Sequence, residues 1–216
     1  MKVRTIGYKV YDGEPLEIGK TSIYNKKVAS GIEFLFNNGL LLGKILDYGA
    51  GRYGRNAEYL RGKGLTVYAY DPYNGTDCNG YEKDCVSNKL PEDHFDIGFT
   101  SYVLNVVPEY VKEDIINNVK SFCNKSYHIA RNMDVFDSAK NSLKKKNKLL
   151  LNFIKNVYNQ EVTTDDDIMN LCIFGYQTKN GFQRITKTEG FGFKIIKNTN
   201  GYKIYEEERK RVYIFS

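Results

Sequence analysis

Apolar residues at Val28, Ile32, Leu35 and Phe36 recur at i, i+4, i+7 and i+8, which predicts a helix with one buried face over residues 25–41. Asn38 and Gly39 supply its stop. The period then changes. Residues 44–48, KILDY, are a short apolar run that enters glycines and predicts a buried strand, and residues 56–61, NAEYLR, predict a helix closed by Gly62 and Gly64. Residues 65–70, LTVYAY, favour a strand that stops at Asp71-Pro72, where proline breaks the ladder. Residues 73–93 are rich in loop formers, with one short strand around Cys85 and Val86. A third clear strand follows at 95–100, FDIGFT, then a helix over 108–120 with Pro108 in its tolerant first turn, and a fourth strand at 127–130, YHIA. Strands alternating with helices in this way argue for an α/β fold with a mostly parallel, doubly wound sheet.

Beyond Arg131 the pattern changes character. Residues 138–160 read as a Lys-rich helical stretch, 162–182 as a polar loop region, and 183–215 as a set of strand-like pieces. Two of these, 193–197 and 202–205, flank the turn-forming AsnThrAsnGly, which predicts an antiparallel C-terminal hairpin. Residues 1–24 carry no clear period and form an irregular or short-stranded arm.

Composition narrows the class. With 216 residues and 41% apolar content, the chain suits a single domain with a sizeable core. Its formal charge of +6 favours anionic partners without demanding them. The four cysteines show no CxxC pair and only His94 and His128 offer imidazoles, which argues against a structural metal and for reduced, buried thiols. Neither histidine is placed for catalysis. No apolar run is long enough to cross a membrane and no signal-peptide core opens the chain, so the expectation is a soluble, cytoplasmic protein.

In an open α/β sheet, ligands bind beyond the carboxyl ends of the strands. The first such end, Asp47-Tyr-Gly-Ala-Gly51, combines glycines that admit close backbone approach with a following helix. The second, Tyr70-Asp71-Pro72, puts an acid about 20 residues on, where a carboxylate can accept hydrogen bonds from both hydroxyls of a ribose. Gly49, Gly51 and Gly54 also match the spacing of a dinucleotide turn, in which a helix N-terminus meets a pyrophosphate. Asp47 separates the two readings, because a carboxylate repels a pyrophosphate and suits a ligand with an ammonium group. S-adenosylmethionine carries an ammonium and a sulfonium and no phosphate.

DYGAG (47–51), DP (71–72) and FDIGFTSYVLNVVP (95–108) together resemble the class I S-adenosylmethionine-dependent methyltransferases, and more narrowly a phage and bacterial group with LDYGxG, DPY and VLNV motifs. The resemblance covers residues 25–131, with GFQR (181–184) as a further shared element. It implies a Rossmann-like fold with a cofactor-binding core at 25–135 and a substrate-side helix, loop and C-terminal strands at 136–216. It implies that Asp47 orients the methionine ammonium, directly or through water, that Gly49 and Gly51 bring backbone to the methionine and ribose, and that Asp71 holds the ribose. Pro72 and Tyr73 would line the adenine side, while its edge falls to Asp84, Val86 or Ser87, with Val86 and Ser87 preferred. Tyr53 stands where many members have a glycine, so the turn is expected to shift onto Gly54 and Tyr53 to cover the methionine end.

Methyl transfer is an in-line displacement, so an enzyme contributes largely by positioning the acceptor. Ser101, Tyr102 and Asn105, at the end of the strand that faces the methyl group in this fold, are the candidates for that role. The Pro-Pro-aromatic and Pro-Cys motifs of standard DNA base methyltransferases are absent. The positive charge, Arg55, Arg131, Gln183 and Arg184, and the 18 tyrosines as stacking platforms point to nucleic acid or a nucleotide-derived base. A small-molecule acceptor and a non-catalytic binding module are the alternatives.

Overall fold

The first strand, β1 (Lys44–Tyr48), lies between β2 (Thr66–Tyr70) and β3 (Phe95–Ser101) and pairs in parallel with both. The computed structural model describes residues 27–90, 92–107, 109–132, 176–178, 181–183 and 192–208. The arm at 1–24 and the Lys-rich stretch at 138–160 lie outside them. β4 (Cys123–Arg131) extends the parallel set beside β3, and the C-terminal strands β7 (Lys194–Asn198) and β8 (Tyr202–Glu208) complete a six-stranded sheet in the order β2-β1-β3-β4-β8-β7. β8 runs antiparallel to both β4 and β7, so the predicted hairpin forms and its second strand inserts into the sheet. Ile204 and Tyr205 of that strand are buried, which makes part of the expected substrate-side segment a component of the core sheet.

Two layers of helix cover the sheet. On one face Ile45, Val67, Ala69, Ile97 and Phe99 meet Ile32 and Leu35 of α1 (Ser30–Asn37) and Ala57 and Leu60 of α2 (Arg55–Gly62). On the other, Leu46, Tyr48, Tyr68 and Tyr70 meet Ile115, Ile116 and Val119 of α3 (Glu109–Phe122). Strands buried on both faces need apolar residues at successive positions, which is why β1 reads as a run and not as an alternation.

Several boundaries differ from the pattern reading. α1 begins at Ser30 because the Ala29 backbone is extended and donates its N–H to Asn56 Oδ1 at 3.0 Å, so Val28 packs from outside the helix. β4 starts four residues earlier than 127. Asn124, Lys125 and Ser126 are poor strand formers, but pairing with β3 and β8 overrides that preference. Within the region read as polar loop, β5 (Tyr176–Thr178) and β6 (Gly181–Gln183) pair antiparallel. The strand expected near Cys85 is reduced to single bridges from Ser87 to Tyr70 and Thr76.

The same loop corrects the expectation of reduced thiols. Asp84 turns the chain at φ 61°, and Cys85 comes back to Cys78 with Cα atoms 6.4 Å apart to form a disulfide. Cys123 takes no part in a disulfide among the described residues and is buried, as expected of a small apolar residue. Cys172 lies outside the described residues.

Candidate active site

The turn after β1 is held over the end of β2: the amides of Gly49 and Ala50 both donate to the Tyr70 carbonyl, at 2.8 and 2.9 Å. Gly49 sits at φ 80°, and a Cβ there would come within 2.5 Å of Val103 Cγ2. Only glycine fits both the conformation and the gap. Gly54, at φ 52°, forms the left-handed entry to α2 and stands in for the displaced third glycine, which leaves Tyr53 turned outward and 44% exposed.

Asp71 ties the two loops together. Its Oδ2 accepts from the Gly51 amide at 2.9 Å, while Oδ1 accepts from the amides of Tyr73 and Asn74 at 3.0 and 2.8 Å and from Asn74 Nδ2 at 3.2 Å. A carboxylate has about four lone-pair sites, so Oδ2 retains acceptor capacity although the residue is only 6% exposed.

Between these loops, the end of β3 and α3 lies a cavity of about 410 Å³. Gly49, Gly51, Asp71, Pro72 and Tyr73 line it on one side, and Ser101 and Tyr102 on the other. Ser101 Oγ is buried and has no hydrogen-bond partner. Tyr102 holds a left-handed backbone, φ 60°, fixed by its N–H to the Ile129 carbonyl at 2.8 Å. An unsatisfied hydroxyl beside a strained aromatic residue is a pairing that concentrates at functional sites.

Solved structures share this arrangement of elements. A SAM-dependent methyltransferase from Anabaena variabilis ATCC 29413 superposes with a TM-score of 0.51 at 11% identity, covering 95% of this chain and 94% of its own. A structure solved for the conversion of a disulfide bond into a thioacetal group during echinomycin biosynthesis gives 0.50 at 15% identity, covering 94% and 91%. This is a class I methyltransferase fold. Magnesium protoporphyrin IX methyltransferase from Synechocystis PCC 6803, solved with bound SAH, gives 0.49 at 16% identity, covering 82% and 79%. No protein-family model and no curated protein matches the sequence.

Other predicted residues fall outside the cavity lining. Asp47 points from β1 into the α2 layer, 0% exposed, with no hydrogen-bond partner for either oxygen. Burial pushes its pKa up to about 8; the Arg61 guanidinium opposes this, the charge of Asp71 adds to it, and the Ala57 amide opposes it. Asn105 is fully buried in the turn after β3. Val86 packs under Gly54, and Ser87 donates to the Ala69 carbonyl and accepts from the Asp71 amide, both at 2.9 Å, so this pair serves the edge of β2. Arg55 pairs with Glu58 at 2.6 Å and lies 5.6 Å from the Tyr53 ring centroid, with Arg52 at 5.9 Å from the same ring. Arg131 is half-buried at the end of β4, Gln183 lies in β6, and Arg184 is outside the described residues.

The histidines are structural. His94 meets Asn124 at the surface, and His128 is buried between Thr100 Oγ1 and Ser126 Oγ, stacked on Phe193, with burial holding its pKa down to about 3. Among the described residues no group of His, Cys, Asp or Glu is arranged to hold a metal, and no helix is long and apolar enough to cross a membrane.

Sequence reasoning missed the α3 wall of the cavity, where Val111, Asp114, Ile115 and Asn118 form one helical stripe. The signal was present as two polar residues beside the apolar positions of an i, i+4 face. Asn56 was also missed; it lines the cavity while its Oδ1 holds the entry to α1.

Proposed function

We propose that this chain is an S-adenosylmethionine-dependent methyltransferase acting on nucleic acid or a nucleotide-derived base. The observation that carries the reading is Asp71, a buried carboxylate that holds the glycine turn through Gly51 and keeps acceptor capacity at the cavity wall. The residues fit the cofactor: glycine backbone where a Cβ would clash, a ribose acceptor, an unpartnered hydroxyl, and a volume within the range of small-molecule sites. When bound, S-adenosylmethionine supplies an electrophilic methyl carbon open to in-line displacement.

Each residue then has a defined task. Gly49 and Gly51 bring backbone against the methionine, Asp71 holds the ribose hydroxyls, and Pro72 and Tyr73 cover the base. Ser101 Oγ and Tyr102 orient the acceptor at the end of β3. Asn105, buried beneath them, acts as a positioning residue. Asp47 works from behind the turn: a cation bound above it favours its ionised form in a low-dielectric setting. Tyr53, flanked by Arg52 and Arg55, offers an aromatic and cationic rim suited to a base or phosphate. Arg131, Gln183 and Arg184 are proposed as further acceptor contacts.

The test combines calorimetry with S-adenosylhomocysteine and methyl transfer from labelled S-adenosylmethionine to DNA, RNA, nucleosides and a small-molecule extract. Binding with label in nucleic acid or nucleosides supports the reading. Label confined to other small molecules would establish the small-molecule alternative, and binding without turnover the binding module. Absence of any binding refutes the cofactor assignment.

A further inference from the structure

Among the described residues no helix intervenes between β2 and β3, and residues 71–90 form a loop held by backbone bonds and one covalent link. Its outgoing arm runs from Asp71 to Cys78 and its returning arm from Cys85 to Lys89. The Thr76 amide donates to the Val86 carbonyl at 2.8 Å, and the Asn88 amide to the Thr76 carbonyl at 2.9 Å. The Cys78–Cys85 disulfide then closes the far end, where the arms would otherwise part.

The returning arm supports both turns of the site. The Ser87 carbonyl accepts from the Asp71 amide at 2.9 Å, and the Asp71 carboxylate in turn holds Gly51 and lines the cavity. A Cβ at Gly75 would come within 2.5 Å of the Ser87 carbonyl oxygen, so the two arms pack backbone against backbone. Val86 underlies the glycine turn, with its Cγ2 2.8 Å from where a Cβ on Gly54 would stand. Cys85 immediately precedes both supports, and neither cysteine lines the cavity.

The link can be reached and released. Cys78 is half-buried and Cys85 is buried, so Cys78 is the sulfur that a thiolate from solution can approach. Thr76 Oγ1 donates to Cys78 Sγ at 3.3 Å, which stabilises charge on that sulfur as it leaves. Directly before Cys85, the exposed Asp84 holds a left-handed backbone at φ 61°, a conformation kept only while its surroundings impose it.

Resting on the cofactor reading above, we infer that Cys78–Cys85 is a thiol–disulfide exchange site that sets the affinity for S-adenosylmethionine, high when oxidised and low after reduction by a dithiol. One thiolate of the dithiol attacks Cys78 Sγ, a mixed disulfide forms, and Cys85 leaves and takes up a proton. The second thiol attacks the reductant's own sulfur in that mixed bond, and Cys78 leaves and is protonated. Two electrons and two protons pass to the protein, and the reductant ends as a disulfide. With the arms untied, Asp84 relaxes, the population that keeps Ser87 on Asp71 falls, and affinity falls with it. Loop closure over a separation of 7 sets a ceiling of about 70-fold on that fall.

The experiment is calorimetric titration of the full chain with S-adenosylhomocysteine, air-oxidised, then in excess dithiothreitol, then reoxidised. Alkylation and mass spectrometry follow the state of Cys78 and Cys85 at each stage. The dissociation constant is expected to rise by about 5- to 70-fold on reduction and to recover on reoxidation. Cys78→Ser should bind as weakly as reduced wild type and not respond to dithiothreitol; if it does not fold, the wild-type cycle decides alone. Tight binding by oxidised wild type that stays within about twofold after complete reduction overturns the switch and leaves the cofactor reading intact. So does tight binding by air-oxidised protein in which both thiols are free. Failure of oxidised wild type to bind overturns both.

Discussion

Asp47→Asn is expected to stabilise the ligand-free protein at alkaline pH, and to do so less and less as the pH falls. The carboxyl has no hydrogen-bond partner and its pKa in the folded chain is about 8, against an ordinary 3.8, chiefly because burial disfavours its charge. Between those values the folded state keeps a proton that the unfolded chain releases. Its contribution to stability is therefore fully present below pH 4 and is lost as the pH rises through 8. A shift of about four units, at 1.36 kcal/mol each, sets a ceiling of about 5 kcal/mol on that loss. Asparagine escapes it, although an unsatisfied buried amide costs about 1–3 kcal/mol at every pH. The assay is thermal melting followed by circular dichroism at pH 5 and pH 9, at matched ionic strength and without ligand. Half of the ceiling, about 2.5 kcal/mol, moves the variant's melting temperature relative to wild type by about 5–10 °C between the two conditions for a chain of this length. A difference between variant and wild type that is the same at pH 5 and pH 9 would refute the reasoning. Calorimetry in buffers of different ionisation enthalpy adds a second readout: binding of S-adenosylmethionine near pH 7 should release a proton from wild type and none from the variant.

Asp71→Ala removes the acceptor for Gly51, Tyr73 and Asn74 as well as for a ribose, so S-adenosylhomocysteine affinity should fall by about 100-fold or more in calorimetry; unchanged affinity would contradict the site. Gly49→Ala places a methyl 2.5 Å from Val103 Cγ2 on a left-handed backbone, and should abolish cofactor binding and cost about 1–2 kcal/mol of stability by chemical denaturation. Adding Val103→Ala should recover affinity in part, because it relieves the clash and not the backbone strain. The Cys78–Cys85 disulfide spans a sequence separation of 7, for which loop closure predicts about 2.5 kcal/mol. Cys78→Ser should therefore lower the melting temperature by about 5–10 °C without reductant and match wild type with it.

The two loops that line one side of the cavity were the legible part, because their requirements are local. Gly49, Gly51 and Asp71 follow short apolar runs, and the physical demands of a strand-to-helix turn can be read from neighbours in the chain. Ser101 and Tyr102, picked by the same logic at a strand end, line the same cavity. Which residues line the cavity was less legible where the answer depends on distance across the fold. Asp47 was expected to orient a ligand's ammonium group directly or through water; the two-residue alternation of β1 turns it into the α2 layer, outside the cavity lining, while Tyr48 lines the cavity. Val86 and Ser87 kept a familiar spacing, but the disulfide-tied loop spends them on the β2 edge.

The sequence by itself determined the α/β class, the order of its strands and helices along the chain, the glycine turn with its two acids, and the C-terminal hairpin. Each depends on periodicity or turn chemistry within a few residues. Only the tertiary structure decided that β8 enters the sheet between β4 and β7, that Cys85 reaches Cys78, and that Asp114 and Asn118 of α3 line the same cavity as the glycine turn. Those facts join residues up to some 80 positions apart, and their proximity arises from burying two faces of one sheet, a condition that no local stretch of sequence can express.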